Sequence, residues 1–124
     1  MDQTVLVNSG QALVTALDNT DLKPRFAMWV HSPDQGTWKL WIVPGAATRD
    51  AREFYRQVSQ VISKNRVRLG GIDASDTEMV ADSHPALKGL AKFIRAPGLN
   101  AIAFSGNTFD GFYMPDGIIL RSDL

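Results

Sequence analysis

The 124-residue chain contains no cysteine, which excludes disulfides, thiolate metal sites and a cysteine nucleophile. Histidine is nearly as scarce. The two histidines, His31 and His84, stand in no HxxxH pattern, so the closely converging imidazoles that a cysteine-free zinc site requires are missing. The chain also has no net charge, 13 basic residues against 13 acidic ones, and this argues against a dedicated polyanion binder of the strongly basic kind. Nowhere do about 18 apolar residues run together, and the opening MDQTVLVNSG has neither a basic start nor a long apolar stretch. The expectation is a cytoplasmic protein with no membrane partner.

Fingerprints of cofactor chemistry are equally absent. The chain has no GxGxxG and no GxxxxGK[ST], and Gly70-Gly71 lacks the lysine and the helical pattern that cradle phosphates. Ser105 is followed by Gly106 but has no glycine at the preceding spacing of a nucleophile elbow. His31 lies near Asp34, a carboxylate able to orient a base, although a hairpin-end histidine is accounted for as an ordinary surface residue. Asp73, Asp76, Glu78 and Asp82 supply oxygen ligands without the spacing of a calcium loop, and read as a solvated acidic segment. No cofactor, metal or catalytic residue is expected.

What is present is a globular composition, 44% hydrophobic and 21% charged, at the usual length of one domain. Ser9 caps a first expected helix running to about Asn19, with Leu13, Val14 and Leu17 as its stripe. Residues 26–32 and 37–43 read as strands around the turn Pro33-Asp34-Gln35-Gly36, in which proline presets the backbone and glycine accepts a left-handed conformation. Asp50 caps a second helix, with Glu53 reaching back to it, and Phe54, Val58, Val61 and Ile62 form one buried face. Residues 66–83 are broken by glycines and acids and yield only a short strand at 77–81. Ser83 or His84 then caps a third helix with Pro85 in its first turn and Leu87, Leu90, Ala91 and Ile94 inward. Two further strands, 101–109 and 112–121, surround Asp110-Gly111, and Pro115-Asp116-Gly117 marks a bulge or a second turn. The order α-β-β-α-β-α-β-β implies a single α+β domain over residues 1–124: one mostly antiparallel sheet of about five strands, with three helices.

Two groups of residues are candidates for function. All three tryptophans fall in MWVHSPDQGTWKLW, where a four-residue loop would set His31 opposite Trp38, Trp29 opposite Leu40 and Met28 opposite Trp41, and a loop one residue shorter would set Trp29 opposite Trp41; in neither register do all three share one face. The four-residue loop divides the tryptophans between two faces and leaves both faces apolar, so Trp29, Trp38 and Trp41 are candidate interface residues for a homodimer or another protein. The second group is basic. Lys88, Lys92 and Arg95 share one helical stripe and Arg52 and Arg56 another, and together they would form an anion or nucleic-acid surface if both helices lay on one side of the sheet. The reading that best fits these features is a non-catalytic protein-interaction module. The alternatives are a weak nucleic-acid or anion binder, and a ligand-binding protein or enzyme whose site is assembled from scattered residues.

Overall fold

A computed structural model describes residues 3–45, 50–109 and 111–124. Among them run α1 (Gln3–Asp18), β1 (Phe26–Ser32), β2 (Thr37–Val43), α2 (Ala51–Lys64), α3 (Arg66–Leu69), β3 (Thr77–Met79), α4 (Pro85–Phe93), β4 (Ile102–Phe104), β5 (Asn107–Phe109), β6 (Phe112–Met114) and β7 (Gly117–Ser122). Five strands form one sheet in the order β3-β2-β1-β7-β4. It is an α+β architecture with a mostly antiparallel sheet; β3 alone runs parallel to its neighbour, because α2 carries the chain from β2 across to it.

The centre of the sheet is β1, paired on both edges and apolar on both faces. Its register with β2 follows the turn chemistry: Trp29 stands opposite Leu40 and Met28 opposite Trp41, with Gly36 at φ +64 closing the loop. Ala27 and Trp29 face a core with Leu13, Leu17, Phe54, Val58 and Leu69, so α1, α2 and α3 cover that side. Phe26, Met28 and Val30 face a second core with Leu87, Leu90, Phe109 and Met114, supplied by α4 and the β5-β6 pair.

Four elements depart from the sequence-based expectation. Helix α1 begins at Gln3 and runs through Ser9, whose buried hydroxyl donates back to the Val5 carbonyl at 2.6 Å and so has no need to cap. Between residues 66 and 83 the chain adds α3 and a 3-10 turn, Ala74–Asp76, closed by a reciprocal capping box between Asp73 and Asp76; among the described residues the α-helices therefore number four. The Glu53 carboxylate turns to Arg56 and Gln57 rather than back to its cap, while Asp50 does cap α2 through the Arg52 N–H.

The fourth departure is the C-terminal hairpin, which folds as two sheets. Ile102 pairs with Ile119 and Phe109 with Phe112 in one continuous register, yet the ladder breaks at residues 105–106 and 115–116. Pro115 has no N–H to give, and the Asp116 carboxylate takes the Gly106 N–H at 3.1 Å in place of a rung, while the Asp116 carbonyl accepts from His31 N–H at 2.9 Å and continues the pairing of β7 with β1. The tip, β5-β6, leaves the main sheet there and lays Phe109 and Met114 against α4. Asp110, expected in the tip turn, lies outside the described residues.

Helix α1 is docked through one close contact. The Trp29 indole N–H donates to the Leu6 carbonyl at 2.8 Å, and a Cβ at Gly10 would stand 2.5 Å from Leu120 and 2.6 Å from the indole nitrogen. Gly10→Ala should therefore lower stability by about 1–3 kcal/mol through overpacking, opposite in sign to the roughly 1 kcal/mol that alanine gains over glycine in a helix. Urea denaturation checks this, and a stabilised variant would refute the close-approach account.

Candidate interaction surface

The tryptophans are placed by the strand register, and the protein's own elements already cover them. Trp29 is 1% exposed, buried under α1, and cannot contact a partner: a correction to its candidacy that follows from the helix packing on that face. Trp38 is half-buried, its ring tilted over His31 at 4.9 Å. Trp41 lies on the opposite face, where its ring stands 5.1 Å from His84, which stands 5.3 Å from Phe112. His84 is committed locally as well, since its Nδ1 accepts from Ala86 N–H and caps α4.

The basic residues do not assemble into one surface. Arg52 and Arg56 stand on α2, over the core that holds Trp29, whereas Lys88 and Lys92 stand on α4, beneath the opposite face of the sheet. The common face that a shared anion site requires is absent, because β1 is apolar on both sides and α2 covers one side while α4 covers the other. Arg95 falls just beyond α4 and pairs with Asp123 at 3.3 Å. Lys88 and Lys92 do line one groove of about 480 Å³ with Arg25 and Leu124, but Arg25 is paired there with Asp82 at 3.3 Å. Among the described residues no three histidines or carboxylates gather as metal ligands.

Arg56 has a nearer partner. Its guanidinium hydrogen-bonds both oxygens of Glu53, and this contact, with a second from Gln57, holds the Glu53 carboxyl at about 2, well below the ordinary 4.5. A carboxyl depressed in the folded state contributes stability that is complete above its ordinary range and is lost as the pH falls from about 4.5 towards 2.

What sequence spacing does not show is the difference between the two edges of the main sheet. At the β3 edge, the outward Met79 N–H donates to the Tyr55 hydroxyl from α2 at 3.1 Å, and Glu78 with Asp76 and Asp82 surrounds the strand with charge. That edge is sealed. At the β4 edge, no further strand is paired among the described residues. Ala101, Ile102 and Ala103 are exposed, and every residue from Ala96 to Phe109 is uncharged. Two of the usual protections of an edge strand, charge and proline within it, are missing.

The approach to β4 is held firmly. Asn100 Nδ2 donates to the carbonyls of Ala96 and Pro97 at 3.1 and 3.0 Å, and the Gln11 amide of α1 donates to the Asn100 carbonyl at 3.0 Å. Arg121 ties the same region to the helix end. Its guanidinium binds both Asp18 oxygens at 2.7 and 2.9 Å and the Pro24 and Gly98 carbonyls at 2.9 and 2.8 Å, and the Asp18 hydrogen bonds raise its pKa. The open edge is thus presented by fixed backbone. The signal available in the sequence was the uncharged run itself, legible as an edge only once the strand order is known.

No family model matches the chain, and neither a curated protein nor a solved structure matches it.

Glu53→Gln should lower stability at neutral pH and leave the variant level with wild type near pH 2, so that the acid dependence due to this contact is lost. Far-UV circular dichroism melts from neutral pH to about pH 2 check this; an unchanged acid profile would show that the Arg56 contact is not what depresses Glu53.

Proposed function

We propose that the protein is a non-catalytic interaction module that binds an extended segment of a partner by strand addition along β4. The observation that carries this reading is the unsealed, uncharged β4 edge of a sheet whose other edge is sealed by Tyr55 and Glu78. Strand addition draws its affinity from main-chain hydrogen bonds and its selectivity from alternate side chains. Here those side chains are Ile102 and Phe104 on the α4 side and the small Ala101 and Ala103 on the α1 side, which favours an uncharged partner strand.

Preorganisation supports the same reading. An edge already held by Asn100, Gln11 and Arg121 loses little conformational freedom on binding, so more of the hydrogen-bond energy appears as affinity. The tryptophan faces support it less, since each is already packed against the protein's own helices.

Selection of random eight-residue peptides on the immobilised protein, followed by amide chemical-shift mapping of the best binders, tests the reading. The expected result is uncharged, apolar peptides that shift the amides of residues 101–105. Peptides that instead map to the groove beside Lys88 and Lys92, or a selection that enriches nothing, would overturn it.

A further inference from the structure

Resting on the strand-addition reading, we infer that the segment accepted by β4 is β4 of a second copy, paired antiparallel about a two-fold axis through Ala103 to give one continuous ten-stranded sheet.

The register follows from which backbone groups are free. Asn100 N–H donates to the Leu120 carbonyl at 2.8 Å, and Ile102 and Phe104 continue the pairing towards β7 opposite Ile119 and Gly117. In an antiparallel strand the N–H and C=O of one residue point to the same side and alternate along the chain. Ala101, Ala103 and Ser105 therefore turn theirs outward. A two-fold through Ala103 sets Ala103 against its own copy and Ala101 against the partner copy's Ser105. Every outward donor then meets an outward acceptor.

The side chains agree with that register. On the α4 side Ile102 falls opposite Phe104 of the other copy, and Phe104 opposite its Ile102, two apolar cross-strand pairs. On the α1 side the pairs are alanine with alanine and alanine with serine, small enough to sit beside the helix. Moving the axis by one residue, to Ile102, would set Phe104 against the polar Asn100, whose side-chain amide is already committed to the Ala96 and Pro97 carbonyls. Charge does not oppose the association, because the run from Ala96 to Phe109 is uncharged and the chain carries no net charge. Three residues a side make a small interface, well below the roughly 800 Å² per partner of a stable complex, so the dimer is weak and concentration-dependent.

Sedimentation equilibrium over about 10 µM to 1 mM is the test, the range in which an interface of this size associates. The wild-type mass should climb from 13.6 kDa towards twice that value. Ala103→Lys and Ala103→Glu each place like charges on the axis and should stay at 13.6 kDa when alone, while an equimolar mixture of the two should associate again. Position 103 is exposed, and unchanged thermal melts would confirm that both variants fold. A wild-type protein that remains monomeric to the top of the range, while selected peptides still shift the amides of residues 101–105, removes the self-pairing and leaves strand addition standing. A dimer that both charged variants form as well as wild type places the contact elsewhere and overturns the self-pairing, whatever the peptides do.

Discussion

A strand that is apolar on both faces cannot be satisfied by a two-layer fold. Phe26 to Val30 in β1 are all buried, with alternate side chains entering two separate cores, and leaving either side wet would expose several large side chains to water. The chain has helices enough for one face, where α1 and α2 converge on Trp29. For the other it has only the nine residues of α4. The remaining cover comes from the C-terminal hairpin, which must leave the sheet to supply it. Pro115 and Asp116 make that departure cheap: Pro115 has no N–H to lose, and the Asp116 carboxylate satisfies the Gly106 N–H.

The same demand leaves β4 as an edge. Had residues 102–109 and 112–122 stayed in one plane, the hairpin would have formed two long strands at the side of the sheet. Folding the tip onto α4 shortens the edge to three residues, one established way of limiting unwanted pairing. Among the described residues β4 is protected by its shortness, whereas β3 is guarded by charge and by the Tyr55 hydroxyl. The asymmetry gives the sheet one side on which a further strand can be added, and it arises from how the second core is filled.

Much of the fold was legible before the structure, wherever the signal was local. The Pro33–Gly36 turn, the Asp50 cap and the buried stripe of α2 appear as read, and of the alternatives the sequence left open the structure takes the four-residue loop, which separates Trp29 from Trp41, and the His84 cap. The errors share a cause. Ser9 looked like a cap because serine favours that position, but a carbonyl four residues earlier satisfies it equally well. Glu53 looked like the far half of a capping box, but Arg56 one turn away offers a stronger partner. The bend at Pro115 could be located and not interpreted, since its meaning depends on α4 lying beneath it.

By itself, the sequence determined β1, β2, α2 and α4 with the turn between the two strands, the apolar character of both faces of β1 and the absence of cysteine chemistry, because each is a property of neighbouring residues. The tertiary structure decided which helix covers which face, and with it that Arg52 and Arg56 stand away from Lys88 and Lys92 and that Trp29 is enclosed. It also decided that an unremarkable uncharged run, Ala96 to Phe109, carries an open edge. Periodicity reports that a face is to be covered and is silent on the cover, since burial is non-directional and any apolar surface of the right shape will serve.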